Sequence, residues 1–235
     1  SFIVALAEYL QDTHQLSSIN TFSTGMSNGG DFSYLLGCQA SGTFRAIAPV
    51  AGTMMEEIYN NCNPIESVPV FETHGTDDDV TYYDGDPQNE DGWGVYLDIP
   101  TIIEYWVNQN NVSNLLIDTI ADNVPWDNSI IERHIYSSEN FTNEVWLYKV
   151  INGGHDWPGP SSWGGNMDVN ISEEIWEFFS QMSFLDELSN QDIKPNQSEK
   201  MLINIIDVLG RKSITKGFQL HIYNDGSVEK KYIIR

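Results

Sequence analysis

The stretch Gly25-Met26-Ser27-Asn28-Gly29 constrains this chain more than any other. A G-x-S-x-G run says something about fold only when a strand ends at it and a helix starts from it. Both signals are present. Residues 19–24 are short and rich in β-branched and aromatic side chains, which predicts a strand. After the run, Phe32, Leu35 and Leu36 fall at the i, i+3, i+4 spacing of a helix. A turn this sharp strains the backbone, and residues without Cβ let strand and helix close on each other. It would lift the Ser27 hydroxyl clear of the sheet, at the positive end of the helix that follows.

The rest of the chain continues the alternation. Residues 44–52 are a short apolar run bounded by glycine, suited to a strand buried on both faces. Residues 53–67 read as loop. The next strand, 68–75, runs into the acidic turn Thr76-Asp77-Asp78-Asp79, and 84–94 form a surface loop. Ile102, Ile103, Trp106 and Val107 restore helical spacing. Strands are predicted at 130–136 and 144–150, then a Gly/Trp/Pro-rich loop over 152–165. The last helix spans about 171–182, with Ile175, Phe178, Phe179 and Met182 on one face and a capping box from Asn170 to Glu173. Strands alternating with helices predict an α/β domain with a mostly parallel sheet over residues 1–182. Residues 183–200 are polar and aperiodic and read as a linker. Residues 201–235 carry most of the basic side chains and read as a small β appendage, with a hairpin turn at Asn224-Asp225-Gly226-Ser227.

Charge excludes some partners. With 34 acidic against 11 basic side chains the net charge is −23, a field that repels nucleic acid and anionic membranes. No run of roughly 18 apolar residues is present to span a membrane. The chain opens at Ser1, without Met, inside an amphipathic segment (Phe2, Leu6, Tyr9, Leu10), so a further N-terminal portion is expected ahead of it. Cys38 and Cys62 lack metal-ligand spacing. They form either one bridge, in an exported protein, or two buried thiols.

A serine hydroxyl needs a histidine to take its proton and a carboxylate to hold that histidine in the right tautomer. His74 ends a buried strand, His134 lies within a strand, and His221 belongs to the tail; all three read as structural. His155 lies instead in Asn152-Gly153-Gly154-His155-Asp156-Trp157-Pro158-Gly159, a loop between the last strand and the last helix, where a base would sit well. The carboxylate is expected after the 68–75 strand, because sites in parallel sheets lie at carboxyl ends of strands. There Asp77, Asp78 and Asp79 compete, and only one can point inward. A calcium site from these with Asp84, Asp86, Glu90 and Asp91 lacks EF-hand spacing, so neither a metal nor another cofactor is expected.

Three stretches, Thr24-Gly25-Met26-Ser27-Asn28-Gly29-Gly30, His74-Gly75-Thr76-Asp77-Asp78 and Gly153-Gly154-His155-Asp156-Trp157-Pro158-Gly159, resemble secreted α/β-hydrolase esterases of the poly(3-hydroxybutyrate) depolymerase and feruloyl esterase type. Ala46-Ile47-Ala48-Pro49-Val50-Ala51-Gly52 fits as well. The resemblance implies an α/β-hydrolase fold, Ser27 as nucleophile, His155 as general base and Asp78, the fifth residue of the His-Gly-Thr-x-Asp motif, as the acid. Asp156 and Asp79 stand where Thr and Pro are more usual. The resemblance also implies that the earlier strands and part of the oxyanion hole lie upstream of Ser1, leaving the Asn28 N–H as the assignable donor here and β-edge surface exposed. In the tail, Ile206-Asp207-Val208-Leu209-Gly210-Arg211-Lys212 and residues 222–231 resemble the C-terminal sorting domain of type IX secretion cargo. That implies the type IX machinery as a partner and an extracellular or cell-surface location.

The resulting expectation is a secreted serine carboxylesterase working through an acyl-enzyme. Its substrate would be a hydroxyalkanoate polyester or a feruloyl- or acetyl-decorated plant-wall polysaccharide, with Trp157, Trp163 and Trp93 as an apolar wall. Two other readings stand beside it: a prolyl-oligopeptidase-like serine peptidase, and a non-catalytic surface carbohydrate-binding module.

Overall fold

The computed structural model describes residues 2–139, 143–160, 165–183, 202–206, 217–223 and 227–233. The linker expected over 183–200 (Ser183 apart), Trp163 and the tip of the 224–227 turn lie outside the described residues. The chain falls into two compact units, Ser1–Leu185 and Asp186–Arg235.

Six strands form one sheet in the larger unit. They are β1 (Phe22–Met26), β2 (Ala46–Val50), β3 (Val70–Gly75), β4 (Asn114–Thr119), β5 (Ile130–Ser137) and β6 (Val145–Ile151), in the order β1-β2-β3-β6-β5-β4. The first four in that order are parallel neighbours, while β5 runs antiparallel to both β6 and β4. The unit is therefore an α/β domain with a mostly parallel, mixed sheet.

Every residue of β2 and β3 is buried, as strands covered on both faces must be. Strand alternation divides their side chains between two cores. On one face Ala46, Ala48, Val50, Phe71, Trp146, Tyr148 and Val150 meet helix α5 (Ile171–Met182) through Ile175, Phe178 and Phe179. On the other, Ile47, Val70, Val145 and Leu147 meet α2 (Asn28–Gln39) and α4 (Ile99–Asn110) through Tyr34, Cys38, Ile102, Ile103 and Trp106. A bridge between Cys38 and Cys62 ties α2 to the segment after the short helix α3 (Glu56–Asn60).

Helix α1 (Phe2–His14) buries none of its residues and leaves Phe2 and Tyr9 strongly exposed. Gln11 Nε2 donates to Thr21 Oγ1 at 2.7 Å beside the start of β1. Among the described residues β1 pairs only with β2. No helix among the described residues is long and apolar enough to cross a membrane.

Local differences from the sequence reading have physical causes. The expected loop over 53–67 contains α3, too short to show periodicity. Strand β4 is absent from the reading because its Leu115-Leu116-Ile117 run does not alternate and its side chains are mostly exposed. The Asn170 side chain makes no cap; the first turn of α5 is held by Asn170 carbonyl bonds to Glu173 and Glu174 N–H groups. The side-chain cap is on α4 instead, where Asp98 Oδ1 accepts from Thr101 N at 2.8 Å. The smaller unit is an antiparallel sheet of β7 (Leu202–Ile206), β8 (Gly217–Tyr223) and β9 (Val228–Ile233).

Candidate active site

Strand β1 runs through Gly25 and Met26, two residues beyond the sequence reading, so the whole reversal falls on Ser27. Its φ of 56° and ψ of −124° lie in a region that L-residues rarely occupy. The surroundings enforce it. Ser27 N donates to Val50 O at 2.9 Å, while Ser27 O accepts from Gly30 N at 2.7 Å and Asp31 N at 3.0 Å. The close approach belongs to Gly25 and Gly30 rather than Gly29. A Cβ on Gly25 would lie 2.8 Å from Gly29 backbone, and one on Gly30 would lie 2.9 Å from Gly52, whereas one on Gly29 meets nothing within 4 Å. The Asn28 N–H opens α2 next to the serine, at the positive end of the helix.

Of the three competing carboxylates, Asp77 and Asp79 are exposed and Asp78 is buried. Asp78 Oδ1 accepts from Val80 N at 2.9 Å and Thr81 N at 2.7 Å, an Asx-type closure that turns the carboxylate inward. His155 Nδ1 lies 2.9 Å from Asp78 Oδ2 and 3.1 Å from Oδ1. A carboxylate here only accepts, so Nδ1 carries the hydrogen and Nε2 keeps its lone pair, the form a general base needs.

The loop carrying His155 is clasped to the end of β3. Asp77 N donates to Gly153 O at 2.9 Å, and Asn152 N donates to Thr76 Oγ1 at 2.9 Å. Gly75 has no room for a side chain, since a Cβ there would come within 2.2 Å of Gly153 O. The His-Gly-Thr segment thus positions the histidine loop as well as the acid.

The structure brings Asp78 and His155 together, and Ser27 stands at the same carboxyl-end edge of the sheet. Among the described residues no hydrogen bond joins the Ser27 hydroxyl to His155, whose ring nitrogen Nδ1 bonds to Asp78. Trp157 is half-buried and donates its indole N–H to Ser172 Oγ at 3.0 Å, tying the histidine loop to α5. Trp93 is 46% exposed, with its ring 6.4 Å from that of Tyr96. His134 bonds to Glu132 at 2.6 Å, and His221 bonds to Gln219 at 3.1 Å. In the 84–94 loop the Asp86 carboxylate is taken up by the Glu90 and Asp91 N–H groups. No group of three or more metal-ligating side chains occurs among the described residues.

Sequence reasoning missed a buried polar array beside Asp78. Tyr34 donates to Glu72 Oε2 at 2.8 Å, Glu72 Oε1 lies 2.9 Å from His74 Nδ1, and His74 Nε2 lies 2.8 Å from Thr81 O. Burial pushes the Glu72 carboxyl up to about 7, against the opposing hydrogen bonds of His74 and Tyr34. Burial alone would lower His74, but the Glu72 bond and charge, the Thr81 carbonyl and Asp78 outweigh it and raise the imidazole above its usual range. On α2, burial also raises Asp31, opposed by its 2.7 Å bond from Thr53 N and by the charges of His74 and His155. The only local signal was Glu72 and His74 at i, i+2 on one strand face.

No protein-family model matches the chain. Over 85 residues it is 32% identical to feruloyl esterase C of Emericella nidulans, and over 85 residues 31% identical to a probable feruloyl esterase C of Aspergillus niger. Each match covers 36% of this chain and 30% of the relative, so the likeness spans about a third of those proteins. It supports an esterase-like relationship.

Proposed function

We propose that this chain carries the catalytic groups of a carboxylic ester hydrolase with an α/β-hydrolase arrangement. The observation that carries the reading is the contact of His155 with the buried Asp78 carboxylate, at 2.9 Å, on the same sheet edge as a strained serine turn. Ser27 Oγ attacks the ester carbonyl carbon as His155 Nε2 takes the hydroxyl proton. Asp78 keeps Nδ1 protonated and stabilises the imidazolium that results. The Asn28 N–H donates to the developing oxyanion, a contribution of about 2.7–4 kcal/mol for one such donor. Collapse passes the proton from His155 to the departing alkoxide and leaves an acyl-Ser27. Water, deprotonated by the same imidazole, then releases the acid and restores the serine.

The substrate is an ester of a hydroxyalkanoate polymer or a feruloyl or acetyl ester on plant-wall polysaccharide. The names of the two relatives put ferulate first in the order of testing. Trp157, Trp93 and Trp163 are proposed as the apolar wall against the acyl or aromatic group. We read residues 1–182 as the catalytic domain, 183–200 as a linker, and 201–235 as a sorting segment for type IX export that places the protein at or beyond the cell surface.

The test is hydrolysis of short p-nitrophenyl esters, methyl ferulate, acetylated xylan and polyhydroxybutyrate films by the wild type and Ser27→Ala. Activity on at least one of them, lost in Ser27→Ala, is the expected result. Activity that survives the substitution overturns the assignment.

A further inference from the structure

Behind the Asp78–His155 pair lies a set of titratable groups that ester hydrolysis as described above does not use. Tyr34 and Glu72 are fully enclosed and His74 is 1% exposed. Their hydrogens can be placed by elimination. Thr81 O is a carbonyl and only accepts, so His74 Nε2 carries a hydrogen and donates to it at 2.8 Å. The same nitrogen lies 3.5 Å from Asp78 Oδ2, the oxygen that faces His155 Nδ1 at 2.9 Å. On the other side of the ring, Nδ1 shares one proton with Glu72, whose second oxygen accepts from Tyr34. Asp78 Oδ2 is therefore held between two imidazoles.

The other charged and titratable neighbours come from every element around His74. From α2 come Tyr34 and Asp31, and from the loop after β3 comes Tyr83, whose ring meets the imidazole edge-on at 6.0 Å. Lys149, the register partner of His74 on β6, sends its ammonium over the Tyr83 ring at 5.5 Å. Glu132 of β5 is opposite Lys149 and bonded to His134. None of these reaches Asp78 as His74 does.

We propose that His74, held by Glu72 and Tyr34, is a positioning residue that clamps the Asp78 carboxylate against His155 and answers its charge. The inference rests on the esterase reading for its catalytic meaning. A positive edge facing Asp78 Oδ2 keeps that oxygen aimed at His155 and stops the acid from making the base cling to its proton. A buried pair with only a packing role would leave His155 indifferent to its removal.

Glu72→Gln tests this in the full chain. The amide is isosteric, accepts from Tyr34 and donates to His74 Nδ1, so His74 stays in place but neutral. The probe is a pH titration of the five histidine imidazoles by NMR, with the His155 signal identified by its loss in His155→Gln. In Glu72→Gln the His155 midpoint is expected to rise by roughly a few tenths of a pH unit, because the positive charge lost from His74 lies one carboxylate away while the negative charge lost from Glu72 lies on the far side of the His74 ring. The acid limb of kcat/KM for p-nitrophenyl acetate moves up equally, while KM holds. His74→Gln gives the same direction and serves as the second variant, with thermal unfolding to verify that each is folded. An unmoved His155 midpoint in folded Glu72→Gln overturns the inference. If the wild type neither hydrolyses esters nor takes a fluorophosphonate label, the esterase reading falls, and the His155 shift still decides this one.

Discussion

Replacing Asp78 with Asn exchanges one oxygen for an NH2 group, and the structure dictates which one. Val80 N and Thr81 N both donate to Oδ1, so the amide oxygen must stay there and the amide nitrogen takes the Oδ2 position. It then faces His155 Nδ1 across 2.9 Å as a donor, closer than the Oδ1 oxygen, which lies at 3.1 Å and already accepts two N–H groups. Two donors cannot share that contact, so the ring gives up its Nδ1 hydrogen and carries the proton on Nε2. In the proposed mechanism Nε2 is the atom that accepts the Ser27 proton. The variant thus folds around the same backbone bonds while holding its base in the wrong tautomer. A tautomer inversion of this kind in a serine hydrolase triad costs about 10⁴-fold in kcat, equivalent to about 5.4 kcal/mol of barrier. The assay is kcat on p-nitrophenyl acetate or methyl ferulate, alongside Asp77→Asn and Asp79→Asn, whose exposed carboxylates should leave kcat within about twofold. A loss of less than about tenfold in Asp78→Asn, or an equal loss in either neighbour, would refute the argument.

The remaining predictions concern stability. Gly25→Ala drives a Cβ to 2.8 Å from the Gly29 backbone and should cost about 2 kcal/mol or more in urea unfolding, whereas Gly29→Ala meets nothing and should be neutral to stabilising; equal effects would contradict the assigned packing. Replacing Cys38 and Cys62 together by Ala opens a loop closed across a separation of 24 residues and should cost about 3.5 kcal/mol, read from the same unfolding curves with and without reductant. The Glu72 carboxyl is raised by burial from 4.5 to about 7, and His74 is raised by its partners, so the folded state binds protons more tightly than the unfolded chain. That contribution is fully present below about pH 4.5 and is lost as pH rises through about 7, so thermal midpoints should fall from about pH 5 to 8. Glu72→Gln should flatten that slope; a midpoint that climbs with pH in the wild type would contradict the assignment.

What was legible in the sequence follows from the range over which each constraint acts. The Ser27 turn is a five-residue problem in which a strand, a strained reversal and a helix announce themselves locally. The histidine loop is equally local, a Gly-Gly-His run between a strand and a helix. Asp78 was legible only in part. Three adjacent aspartates look alike to periodicity, and what separates them is which carboxylate the Val80 and Thr81 N–H groups capture. Strand β4, with its exposed apolar triplet, had no alternation to read. The Tyr34–Glu72–His74 array lay furthest from view, because its members meet across a sequence separation of 38.

Even so, one mark of that array stood in the chain. A strand buried on both faces should be near-continuously apolar, yet β3 carries Glu72, Thr73 and His74 at its carboxyl end. An unpaired carboxylate there would cost several kcal/mol. Glu72 and His74 persist there because partners wait for them in the fold. Tyr34 from α2 and the Thr81 carbonyl are those partners, and both also border the chain leading to Asp78. The polar end of an otherwise apolar strand is then a prediction in itself: it locates the part of the sheet where burial is answered by hydrogen bonds instead of by hydrocarbon, and where a histidine can be held against a carboxylate.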